Sequence, residues 1–352
     1  MLGKVIGVLA LLWAGPAAAA LEAATPEGKV TLLSAVSATG DATELPLGLR
    51  FQLAPGWKVY WRSPGDAGYP PSIDWAGSAN LAKAEIAWPL PKRFAVLGLE
   101  SIGYEKDVVL PLSVRLERPG EPVALKAVVD YLTCAESCVP RRVELDLALP
   151  AGPATPTPDA HRIDRFQSAV PGDGARAGLS VERVVTAGEG DGATLAVTLR
   201  ADPPLASPDL FVEAPDGAMF QAPETRLEQG GRRAVLVARA VPGTLTGGLA
   251  GKAVKVTVGE SGRAIEAAVT PEAGPPPTRV EPPSLLAMLG AALLGGLILN
   301  LMPCVLPVLS LKVLALIGHG GAERRGVRIG FLASAAGIVL SFLALAAVAL
   351  GL

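Results

Sequence analysis

The most constraining feature of the chain is where its charges stop. From Ser284 to Leu311 no residue is charged, and a run of that length can cross a bilayer as a helix. A second apolar run, residues 329–352, follows a short segment holding Arg324, Arg325 and Arg328. At the other end, residues 1–20 carry Lys4, an apolar stretch from Val5 to Trp13 and the small residues Ala18, Ala19 and Ala20. That is the pattern of a cleaved secretory signal, with an apolar part too short to span. Both ends give one topology. If the chain from Leu21 onward is exported, the first span runs from outside to inside, and the three arginines fall on the cytoplasmic side, as the positive-inside rule requires.

What lies between must fold outside the cytoplasm, and its pattern is β. The 352 residues include 40 Gly and 32 Pro, which punctuate short alternating stretches at 29–34, 47–53, 108–116, 123–131 and 143–149. Regular turn signals between such stretches predict an all-β sandwich. Residues 150–158 (PAGPATPTP) read as a linker. Residues 159–170 follow with Ile163, Phe166 and Val170 at helical spacing and Asp159 placed as the N-cap. A second β-rich stretch, about 179–269, includes 194–200, 234–238 and 253–258 but no cysteine or histidine. It reads as a second sandwich serving as a spacer or docking surface. The proline-rich residues 270–283 (TPEAGPPPTRVEPP) then form a stiff connection. A net charge of −2 gives no reason to expect a nucleic-acid partner.

Chemistry is concentrated in three cysteines, Cys134, Cys138 and Cys304. Exported cysteines are expected to be paired or redox-active. A straight strand would separate Cys134 from Cys138 by roughly 13 Å, whereas a disulfide needs Cα atoms about 4.4–6.8 Å apart. Either the pair never bonds, or Ala135-Glu136-Ser137 forms a turn between two strands, with Pro140 at the start of the second. Closing so short a loop stabilises by only about 2 kcal/mol on the loop-entropy model. The spacing leaves two readings open, a modest staple and an accessible redox pair. Metal binding lacks a third ligand near the pair, since the histidines are His161 and His319. Arg141 and Arg142 follow Cys138 and either favour its thiolate or form a solvated basic pair.

Cys304 lies between Pro303 and Pro307, within the first apolar run. Two prolines four apart remove backbone donors and break a helix, which a span tolerates only where the backbone is buried in protein or lines a cavity. Lys312 also argues for a polar interior or an interface position. The bland reading is a passive cysteine in a kinked helix. Met302 with Cys304 also suits a soft metal such as Cu(I).

Several blocks resemble a known family. Gly56-Trp57-Lys58-Val59-Tyr60-Trp61-Arg62-Ser63-Pro64-Gly65-Asp66-Ala67-Gly68 is similar to the periplasmic-domain signature of DsbD-type reductases, and closest to the ScsB branch associated with suppression of copper sensitivity. Trp88-Pro89 with Pro91, the block from Gly103 to Leu112, the block from Tyr131 to Pro140 and the residues around Cys304 continue the resemblance in order. It implies an immunoglobulin-like domain that passes electrons to periplasmic partners. In that family cytoplasmic thioredoxin feeds a membrane cysteine pair, which feeds a thioredoxin-like domain. Cys138 matches the cysteine that forms mixed disulfides with partners, Cys134 its resolving partner, and Cys304 the first membrane cysteine. Phe94 and Tyr104 are candidates for the aromatic residues that shield the pair. The acidic cap-loop pattern of the enteric proteins is not evident. The remaining membrane spans, the second membrane cysteine and the thioredoxin-like domain are absent from the sequence, so a truncated or split gene product is expected.

The resulting expectation is an all-β fold class, two tandem immunoglobulin-like sandwiches followed by α-helical transmembrane segments. Residues 1–20 are the signal peptide, 21–150 the redox domain and 151–178 a linker with a short helix. Residues 179–270 form the second sandwich and 271–284 a proline-rich linker. A proline-broken span at 285–317, a cytoplasmic loop at 318–328 and a second span at 329–352 follow. Function is expected to be protein-disulfide reduction without a cofactor, in the bacterial inner membrane with periplasmic N-terminal domains. Its expected partner is a periplasmic thioredoxin-like or disulfide-isomerase-like protein. Two rival expectations are membrane copper handling through Met302 and Cys304, and a purely structural anchored sandwich that binds proteins.

Overall fold

The computed structural model describes residues 21–96, 98–274, 285–300, 332–333 and 335–342. Residues 1–277 and 278–352 form two separate units. In the first unit, the N-terminal sandwich comprises β1 (Glu22–Thr25), β2 (Gly28–Ser34), β3 (Glu44–Leu53), β4 (Lys58–Gly65), β5 (Ser72–Asp74) and β6 (Leu81–Ile86). It continues with β7 (Lys92–Val96), β8 (Leu99–Glu105), β9 (Asp107–Leu116), β10 (Val123–Cys134) and β11 (Cys138–Leu149). One sheet has the order β1-β2-β3-β9-β6 and the other β11-β10-β4-β8-β7, with β5 also paired to β10. Strand neighbours are antiparallel.

Alternation along the strands decides which side chains make the core. On β10, Val123, Leu125, Ala127, Val129 and Tyr131 are buried, and the residues between them are half-buried or exposed. This is the period-two pattern of a sheet with one face packed. Facing them are Leu45, Leu47, Leu49 and Phe51 of β3 and Val108, Leu110, Leu112 and Val114 of β9. Phe51 meets Tyr131 edge to face with ring centroids 5.1 Å apart, a preferred aromatic geometry. On β4, Val59 and Trp61 join this core. Tyr60, between them, must point to the other side.

Helix α1 (Ala160–Gln167) closes the open face of the first sheet. Ile163 is 3% exposed and packs with Leu33, Ala35 and Val109, which stabilises by about 1.5–3 kcal/mol. The helix is shorter than the expected span of 159–170. Asp159 holds the N-cap position without a capping side-chain bond, because its carboxylate is taken by Arg162.

The second sandwich comprises β12 (Leu179–Ala187), β13 (Thr194–Ala201), β14 (Asp209–Glu213), β15 (Glu224–Glu228), β16 (Arg233–Arg239), β17 (Val254–Glu260), β18 (Arg263–Val269) and β19 (Glu272–Ala273). Its sheets run β15-β16-β13-β12-β19 and β14-β17-β18. It has its own apolar core, including Leu195, Val197, Leu236 and Val256. In the second unit, α2 (Leu285–Asn300) is a 16-residue helix. Among the described residues, no helix is long and apolar enough to cross a membrane. The expected signal peptide, the cytoplasmic loop and most of the expected spans lie outside the described residues.

Candidate functional site

Strands β10 and β11 pair in continuous register from Val123 with Leu149 to Cys134 with Cys138. Ala135, Glu136 and Ser137 form the tip, closed by a 3.0 Å hydrogen bond from Ala135 N–H to Ser137 O. Register therefore sets Cys134 and Cys138 directly opposite each other, with Cα atoms 4.1 Å apart, and they form a disulfide. Of the two arrangements the spacing left open, the bonded turn is the one present.

The pair is asymmetric. Cys134 is wholly buried, whereas Cys138 is exposed. Alternation puts Cys134 on the side of the sheet away from the main core, so something else must cover it. The cover is a separate small cluster of Tyr60 and Val96, with Phe94 and Leu132 packed against it. Pairing of Thr133 with Val59 and of Cys134 with Lys58 brings β4 beside the tip. The Tyr60 hydroxyl then donates to Cys134 Sγ at 3.0 Å and lies 3.9 Å from Cys138 Sγ. Burial pushes the Tyr60 pKa up, so at neutral pH the hydroxyl keeps the proton it donates.

Of the two aromatic candidates, Phe94 lies in the sulfur cluster, its ring 6.5 Å from that of Tyr60. Tyr104 does not. It packs in the main core and its hydroxyl donates to Pro89 O at 2.7 Å. Tyr60 is the aromatic residue that touches the sulfurs, and it stood unremarked inside the signature block. Its role depends on strand register, which local sequence does not reveal. The two arginines after Cys138 are committed elsewhere. Arg141 binds the buried Glu27 through two hydrogen bonds, and Arg142 pairs with Asp130 at 3.2 Å. Cys304 and Met302 lie outside the described residues. Among the described residues no cluster of three or more His, Cys, Asp or Glu side chains could hold a metal ion.

Thiol–disulfide exchange needs a cysteine at the protein surface, and Cys138 is an exposed one at the end of a continuously paired hairpin. The first sandwich is a domain of the thiol–disulfide interchange class. Residues 27–150 match the family described as thiol:disulfide interchange protein DsbD, N-terminal. Residues 169–274 match a domain of unknown function. The fold is similar to the crystal structure of the N-terminal periplasmic domain of ScsB from Proteus mirabilis, at 24% identity and a TM-score of 0.57, covering 71% of this chain and 95% of that one. The N-terminal domain of Neisseria meningitidis DsbD in its reduced form matches at 18% identity and a TM-score of 0.22, covering 36% of this chain and 90% of that one. No curated protein matches the chain.

Proposed function

We propose that the first sandwich is the periplasmic electron-donor domain of a membrane thiol–disulfide reductase, working through Cys138 and Cys134. The observation that carries this reading is the asymmetry of the pair, one cysteine exposed and the other buried beneath a hydroxyl donor.

That asymmetry supports a division of roles. A thiolate of an upstream thioredoxin-like donor can reach Cys138 Sγ and bond to it. The Cys134–Cys138 bond breaks, and its electron pair leaves on Cys134, where the Tyr60 hydroxyl stabilises the thiolate. A better-stabilised leaving thiolate departs faster. The donor's second thiol then displaces Cys138, so the donor departs oxidised and the pair remains as two thiols. In the second half, the Cys138 thiolate attacks a disulfide of a periplasmic partner. Cys134 resolves the mixed disulfide, the Cys134–Cys138 bond forms again, and the partner leaves with two thiols. Two electrons move in each half, and no cofactor is required. Phe94 shields the pair between turnovers. Cys304 is the membrane redox cysteine upstream, with cytoplasmic thioredoxin as the ultimate source, and the chain is anchored in the inner membrane with both sandwiches on its periplasmic side.

A trapping experiment tests the donor role. In cells expressing the full chain, Cys134→Ala should accumulate a reducible adduct between Cys138 and a periplasmic protein, and Cys138→Ala should not. If Cys138 of the Cys134→Ala chain is freely alkylated while no adduct forms, the donor role is wrong.

A further inference from the structure

Residues that reach the sulfurs and residues that reach the second sandwich are neighbours along the same two strands. On β4, Tyr60 donates to Cys134 Sγ. Its neighbour Trp61 packs against Phe211 of β14, with ring centroids 5.6 Å apart. Arg62 then donates to both carboxylate oxygens of Glu213, at 3.1 and 3.0 Å from Nε, and also reaches Glu266. On β7, Arg93 donates from Nε to both oxygens of Asp209 at 3.0 Å and bonds Leu210 O and Glu100. The next residue, Phe94, packs in the Cys134 cluster. Successive strand side chains point to opposite faces, so β7 holds the sulfur cover with Phe94 and the second sandwich with Arg93, while on β4 Trp61 points away from Tyr60 and Arg62, two residues on from Tyr60, also reaches the second sandwich.

The contact is not a loose touch between surfaces. Phe211 is 1% exposed and belongs to the core of the first sandwich although β14 belongs to the second. The side chains of Arg62 and Arg93 are only 20% and 13% exposed. Exposed ion pairs contribute little, but removing one partner of a largely buried, multiply bonded guanidinium leaves a desolvated charge behind.

We infer that the second sandwich is a positioning domain for the redox pair: through Arg62 and Arg93 it fixes β4 and β7, and with them the Tyr60 hydroxyl and the Phe94 ring, against Cys134. The inference rests on the exchange role proposed for Cys134 and Cys138. Its consequence is thermodynamic. In the reaction of the disulfide with two glutathione thiols, the products are the Cys134/Cys138 dithiol and oxidised glutathione. The Tyr60 hydrogen bond is stronger to a Cys134 thiolate than to a disulfide sulfur, since charged acceptors bind more tightly. A loosened β4 therefore stabilises the reduced pair less, and the equilibrium moves toward the disulfide.

The test uses the purified full-length chain in glutathione buffers at a pH where reduced Cys134 is ionised, with Cys134 and Cys138 mapped by alkylation. Asp209→Ala combined with Glu213→Ala should shift the equilibrium constant toward the disulfide by about tenfold, the scale of one hydrogen bond to a charged acceptor. Tyr60→Phe should give a similar shift, and all three changes together no more than Tyr60→Phe alone, because coupled residues are not additive. Asp209→Glu, which keeps the carboxylate, should stay near wild type. A lowered melting temperature with an unchanged equilibrium constant, or shifts that simply add, overturns the inference. Should the alanine pair fail to fold, Asp209→Asn with Glu213→Gln carries the same comparison. Absence of mixed disulfides would sink the exchange role instead, and these equilibrium constants would still be measurable.

Discussion

Tyr60 holds its place by what presses on it from both sides. One side meets the sulfurs, and Gly68 packs against the ring. A Cβ at Gly68 would stand 2.5 Å from Cε1 and Cζ of Tyr60, and the residue has φ +105°. Both steric room and backbone conformation therefore demand glycine there. Gly56 has φ +86° with nothing within 4 Å of its absent Cβ, so it isolates the backbone part. Gly68→Ala should cost about 1–3 kcal/mol from the backbone alone and more from the displaced ring, while Gly56→Ala should cost only the former. Urea unfolding midpoints measure the difference, and equal losses would show that Tyr60 is not wedged. At this scale the site was half legible. The cysteines announce themselves by type and spacing, and Phe94 was named beside them. The family resemblance also makes Tyr104 a shielding candidate, yet it pairs across β4–β8 with Val59 and shares the core face with Ile102. Only long-range register separates Tyr60 from Tyr104.

The hairpin of β10 and β11 was the most legible element, because alternation on both strands and a three-residue gap between cysteines admit few placements. Its ion pair to the rest of the sandwich was not legible, since Glu27 and Arg141 lie 114 positions apart. Arg141 follows Cys138 closely in sequence, but strand alternation sends it to Glu27 in the turn between β1 and β2. The hydrogen bonds from Arg141 hold the Glu27 carboxyl below the ordinary carboxylate range. A carboxyl depressed in the folded state binds its proton more readily when unfolded, so its contribution is present above the unfolded pKa and is lost as pH falls through the folded value. Glu27→Gln should therefore destabilise the chain at neutral pH and flatten the acid limb of its stability profile below about pH 4.5. Chemical denaturation across that range measures it. A variant that loses stability equally at every pH would refute the assignment to ionised Glu27.

For the whole molecule, the alternating stretches after residue 179 were enough to announce a second sandwich, whose apparent role was spacing or docking. A lone Phe211 in a short strand carries no sign that it will sit in another domain's core, because that placement is fixed by how two folded sheets meet. The consequence is that the sandwiches should not unfold independently. Trp57, Trp61, Trp75 and Trp88 all belong to the first sandwich, so tryptophan fluorescence reports its unfolding and leaves the second nearly silent. Phe211 is borne by the second sandwich but faces the Trp61 ring and lies under the Arg93 guanidinium at 4.9 Å. Truncating a buried phenylalanine typically costs about 3–5 kcal/mol. If the two sandwiches share one core, Phe211→Ala must lower the thermal midpoint seen by fluorescence together with that seen by far-ultraviolet circular dichroism. A mere tether predicts otherwise, with the fluorescence midpoint unmoved and a separate, earlier dichroism transition from the second sandwich alone.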